Sequence, residues 1–105
     1  LTWHVRKASP SARLSRHDAQ PMHITFKLYA SLTKYLPHEA RYENRVPLEL
    51  PEGATIQQVI EPYGMPQELV HLVLINGVYV PPEERLTRVL VEGDVLAIWP
   101  PVAGG

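Results

Sequence analysis

Cysteine is absent from this chain of 105 residues. Its absence excludes disulfides, thiolate nucleophiles and thiolate-ligated zinc or iron together. Any sulfur chemistry must therefore use another atom. Long apolar runs are also missing, since no stretch reaches the roughly 20 residues a membrane helix needs, and the basic N-terminal segment is not followed by an apolar signal-peptide core. The expectation is a cytoplasmic protein without a membrane partner. Within the body glycine does not cluster: Gly53, Gly64, Gly77 and Gly93 stand singly at turns, so no phosphate-cradling loop is evident there. No Ser-centred elbow of the G-x-S-x-G type occurs, and His4, His17 and His23 are not spaced as metal ligands.

What is present describes one small domain. Hydrophobic residues make up 45% and charged residues 20% of the chain, an ordinary globular balance with room for a single core. The net charge of -1 hides an asymmetry. Residues 1–21 carry Arg6, Lys7, Arg13 and Arg16 against Asp18, whereas residues 22–105 hold six basic and ten acidic groups. An acidic body argues against nucleic acid and for a partner with a basic docking surface. Ser9-Pro10-Ser11, Ser15 and Pro21 interrupt any period in residues 1–21, which read as a disordered leader or extension, and the domain is expected over 22–105.

The pattern of that domain is local and specific. Ile24, Phe26 and Leu28 alternate with Thr25 and Lys27, the mark of a half-buried strand from His23 to Tyr29. Ser31 is expected to cap a short helix carrying Leu32, Tyr35 and Leu36. A second strand, Arg45–Leu50, contains Pro47, which lacks a donor, and is expected at an edge or irregular at that point. Thr55 with Gln58 forms a capping box ahead of Ile56, Val59 and Ile60, and Pro62 and Gly64 end that helix. His71–Ile75 and Val78–Val80 flank Asn76-Gly77, a strong hairpin signal. Leu86 and Leu90 are expected over one end of the core, and Glu92-Gly93-Asp94 turns into a last strand, Val95–Trp99. The fold class is α+β: a small mixed sheet with one main helix across it, its two terminal strands central and parallel.

No autonomous active site emerges from the body. His71 opens an apolar strand and is read as structural, while Glu83, Glu84, Glu92 and Asp94 read as solvated loop carboxylates. The final residues differ in kind. Trp99-Pro100-Pro101-Val102-Ala103-Gly104-Gly105 leaves a strand through two residues without N–H donors and ends in two without side chains. Such a segment can thread a narrow channel and present the Gly105 carboxylate as a deliverable group. A free carboxylate is a poor acyl donor, so ATP must first convert it to an acyl-adenylate, from which a sulfur nucleophile displaces AMP to leave a thiocarboxylate. No nucleotide site is evident in this body, so activation would fall to a partner.

Several stretches resemble the MoaD/ThiS family of ubiquitin-like sulfur carriers. These are Phe26-Lys27-Leu28-Tyr29-Ala30-Ser31-Leu32, Tyr35-Leu36-Pro37, Leu50-Pro51-Glu52-Gly53-Ala54-Thr55, Val73-Leu74-Ile75-Asn76-Gly77, Glu92-Gly93-Asp94-Val95 and the tail. The tail is most similar to that of the molybdopterin synthase small subunit. The resemblance implies a ubiquitin-like β-grasp fold, no bound cofactor, and sulfur carriage on Gly105, with Gly104, Ala103, Val102, Pro101 and Pro100 as the threading segment and Trp99 at the partner interface. It implies as partners a ubiquitin-activating-like adenylyltransferase that uses ATP, a sulfurtransferase or persulfide donor, and the molybdopterin synthase large subunit or another sulfur-accepting synthase. Delivery to thiamine thiazole or another metabolite, or attachment to other proteins as a modifier, are the alternatives.

Overall fold

The computed structural model describes residues 21–101. The alternation noted above becomes strand β1, Met22–Leu28, in which Met22, Ile24, Phe26 and Leu28 are buried. Strand β2, Arg45–Leu50, pairs antiparallel to β1, with Pro47 opposite Thr25. It lies at one margin of the sheet, where a residue without an N–H costs no second ladder bond. Strands β3, Leu72–Ile75, and β4, Val78–Tyr79, form the opposite margin, and β5, Val95–Trp99, runs between β1 and β3. The sheet order is β2-β1-β5-β3-β4, with β1 and β5 parallel, as in the β-grasp fold the resemblance implies.

Helix α1, Ile56–Ile60, begins at Thr55 with both halves of the capping box formed: Gln58 N–H donates to Thr55 Oγ1 at 3.3 Å, and Thr55 N–H donates to Gln58 Oε1 at 3.0 Å. A helix this short is marginal by itself. Its stability comes from Ile56, Val59 and Ile60, which are buried against the sheet with Phe26, Val73, Leu96 and Ile98. Fully burying each such side chain contributes about 1.5–3 kcal/mol. A 3-10 turn over Glu61–Tyr63 then stops at Gly64, whose φ of 70° leaves the right-handed region.

Four local expectations are corrected. Ser31 caps nothing: the chain from Ala30 to Tyr35 is a 3-10 stretch preceded by Tyr29, with no side-chain cap bond, and Ser31 lies exposed inside it. Leu86 is 67% exposed, because Arg85, its neighbour, turns inward at that point and Leu90 alone fills the core position. Asp94 is buried rather than solvated; it accepts from Asn76 Nδ2 at 2.9 Å and from Val91 N–H at 2.9 Å. Strand β3 starts one residue late, leaving His71 exposed at its mouth.

The Asn76–Asp94 contact ties the β3–β4 hairpin to the turn before β5. Asn76 and Gly77 both have positive φ, 52° and 85°, the geometry of a two-residue turn whose twist matches its strands. Asn76 Oδ1 also accepts from Val95 N–H at 2.9 Å. One side chain thus orders both the turn and the start of the last strand.

Candidate functional site

The last described residues leave the sheet at the C-terminal end of β5. In the parallel register Leu28 lies beside Ile98, so the next residues, Tyr29 and Trp99, project from the same face. Their rings stack at 3.9 Å between centroids with 4° between planes. Tyr29 N–H donates to the Ile98 carbonyl at 3.1 Å, and His71 N–H donates to the Trp99 carbonyl at 3.2 Å. Trp99 is therefore held twice, by its ring toward β1 and by its carbonyl toward β3. It is half-buried, and Pro100 and Pro101 follow it with no N–H to extend either ladder. Pairing ends at a fixed point.

Of the residues assigned to the tail from sequence, Trp99, Pro100 and Pro101 meet at this exit, while Val102, Ala103, Gly104 and Gly105 lie outside the described residues. The extension over residues 1–20 also lies outside them. Trp99 is both partly exposed and packed on Tyr29. Sequence reading missed Tyr29 and His71 as parts of this site. The signal for Tyr29 was its place one step past the last core residue of β1, legible only once β1 and β5 are known to pair in parallel.

Tyr63 packs its ring against Phe26 at 4.8 Å, and burial pushes its phenol above the usual range. Among the described residues no group of three or more His, Cys, Asp or Glu could hold a metal ion, and no helix is long and apolar enough to cross a membrane. A cavity of about 390 Å³ opens on the helix side of the sheet, lined in part by Ile60, Met65 and Arg85.

A mixed five-stranded sheet with its first and last strands parallel, one capped helix across it and a tail leaving the last strand defines a ubiquitin-like β-grasp domain. Residues 21–103 match the model of the Mut7-C ubiquitin family, and the chain belongs to that family. Solved structures share the fold. A Haloferax volcanii protein solved in solution has a TM-score of 0.62 at 21% identity, covering 93% of this chain and 100% of its own. Small archaeal modifier protein 1 from Methanosarcina acetivorans has a TM-score of 0.53 at 24% identity, covering 82% of this chain and 99% of its own. A Pyrococcus furiosus protein provisionally named molybdopterin converting factor, subunit 1, has a TM-score of 0.52 at 25% identity, covering 77% of this chain and 99% of its own. No curated protein matches the chain.

Proposed function

We propose that this domain is a sulfur carrier whose reactive group is the Gly105 carboxylate. The observation that carries the reading is the double anchorage of Trp99 followed by two prolines, which launches the tail from a defined point while denying it further pairing. In the proposed cycle a ubiquitin-activating-like adenylyltransferase joins the carboxylate to AMP and releases pyrophosphate. The persulfide of a sulfurtransferase then displaces AMP to give an acyl disulfide, and a second thiol of that partner attacks the donor sulfur, closing a disulfide and releasing the thiocarboxylate; free sulfide would displace AMP to the thiocarboxylate directly. Gly104 and Gly105 enter the acceptor's channel, with Pro100, Pro101, Val102 and Ala103 spanning the approach and Trp99 resting on its surface. The acceptor best supported is a molybdopterin synthase large subunit, where the sulfur enters a dithiolene. The supports are the similarity of the tail and the name of the Pyrococcus furiosus relative of like fold.

The test is the intact mass of the chain after incubation with ATP, an activating enzyme and a sulfide donor, beside a variant lacking Gly105. Exchange of one oxygen for sulfur in the intact chain alone is the expected result. No exchange, with an activating enzyme competent on another carrier, overturns the reading for that enzyme. The name of the Methanosarcina acetivorans relative favours a second reading, attachment to other proteins as a modifier. The same adenylate is open to attack by a lysine amine, and high-mass adducts that vanish with Gly105 would distinguish that outcome.

A further inference from the structure

Among the described residues, only Arg85 and Asp94 are both charged and buried, each 7% exposed. The carboxylate of Asp94 accepts from two neutral donors, Asn76 Nδ2 and the Val91 N–H. The charge of Arg85 meets no acid: no carboxylate of the described residues forms an ion pair with it. Its backbone is fixed, since the Arg85 carbonyl accepts from Gln57 N–H at 3.0 Å at the start of α1. Its guanidinium reaches only neutral carbonyls. Nε and Nη2 donate to Val80 at 3.2 and 3.1 Å, Nη1 donates to Val70 at 3.3 Å, and Nη2 donates to His71 at 3.3 Å. Of the five guanidinium N–H groups, these bonds engage four and leave one on Nη1 without an acceptor among the described residues. A cation withdrawn from water with no counter-charge is costly unless an anion completes it.

Arg85 also lines the cavity of about 390 Å³, a volume within the range of small-ligand sites. Ile60, Met65, Val70, Pro82 and Leu86 supply the apolar part of a mixed wall, to which Gln57 and Gln67 add amides. Glu61 stands in the same wall. One available N–H and one positive charge suit a monoanion, and Glu61 would repel a phosphate dianion. The apolar part of the wall suits a short hydrocarbon body. We infer that this cavity binds an α-carboxylate carrying a short branched apolar side chain, with the carboxylate on Arg85. Two sources share this chemistry: a free aliphatic amino acid, whose ammonium would lie beside Glu61, and the C-terminal residue of a peptide, which lacks that ammonium. The site is independent of sulfur carriage.

Titrating the full chain with L-leucine, N-acetyl-L-leucine and L-leucinamide, followed by NMR at the Arg85 Nε–H and the Gln57 and Gln67 side-chain amides, tests the inference. Saturable shifts with one or both carboxylates and none with leucinamide are expected. Preference for leucine identifies the free amino acid, and preference for the acetylated form identifies the peptide terminus. No saturable shift with either carboxylate, or equal binding of leucinamide, overturns the site. Arg85→Met should abolish carboxylate binding, and retained binding overturns the inference. Should that variant fail to fold, Leu86→Asp serves instead: Leu86 is 67% exposed, so the domain tolerates the change. The added anion should weaken binding at least about fivefold at low salt, and unchanged affinity again overturns the inference.

Discussion

The ring of Tyr29 lies 3.9 Å from the indole of Trp99 and within 4° of parallel to it, which joins the end of the first strand to the end of the last. Because the two strands are parallel neighbours, both chains leave the sheet at the same edge, and the stacked pair covers the place where they part. One of those departing chains is the proposed carrier tail. The stack is thus a candidate for setting its direction.

Removing the Tyr29 ring should expose this role. Tyr29→Ala should lower stability by about 1–2 kcal/mol, from the lost stack and buried area, as read by urea denaturation. At temperatures where both proteins are fully folded, kcat/KM for thiocarboxylate formation on Gly105 should also fall, by roughly fivefold. Tyr29→Phe should restore both quantities, since the phenol oxygen makes no hydrogen bond with another described residue. A stability loss with unchanged kcat/KM would leave Tyr29 as packing alone.

Asn76 supports two elements through one amide, donating to Asp94 and accepting from Val95 N–H. Asn76→Ala should cost about 2–4 kcal/mol, combining two lost hydrogen bonds, a buried carboxylate left short of a donor, and alanine at positive φ. Asn76→Gly keeps the backbone geometry and loses only the side-chain bonds, so it should fall between Asn76→Ala and the native chain in chemical denaturation. If glycine and alanine destabilise equally, the turn geometry contributes nothing separable.

The features legible in the sequence were those set within a few residues. The alternation of β1, the Thr55–Gln58 box and the Asn76-Gly77 turn each carry their own local physics, and each appears where expected. Pro47 likewise narrowed its strand to an edge or an irregular pairing, because a missing donor restricts a residue whatever its neighbours do, and the strand lies at the edge. The central parallel pair was expected from likeness to β-grasp folds, since strand order and direction depend on long-range pairing that local patterns do not encode. What the sequence concealed depended on contacts between distant segments. Arg85 reads as a surface cation until the carbonyls of Val70, His71 and Val80 converge on it, and its inward turn is what sends Leu86 outward. Asp94 looks like a loop acid until Asn76 closes over it. At the candidate site, Trp99 and the prolines were visible as composition, but the stack with Tyr29 and the bond from His71 required the register.

Tyr63 gives a pH-dependent prediction. Its ring packs on Phe26, and burial disfavours the phenolate, so its folded-state pKa lies above the value of about 10 in the unfolded chain. Above that unfolded value the unfolded chain gives up the proton more readily than the folded one. The stability linked to the neutral phenol is therefore fully present below about pH 10 and is lost as pH rises from the unfolded pKa through the raised folded one. Tyr63→Phe cannot ionise and should lack this loss. The difference in unfolding free energy between the native chain and Tyr63→Phe, measured by denaturant from about pH 8 to pH 11.5, should be flat below about pH 9 and then shift steadily in favour of the variant. Every other residue is common to the two proteins and cancels in the comparison, so parallel curves would show that Tyr63 is as free to ionise in the fold as outside it.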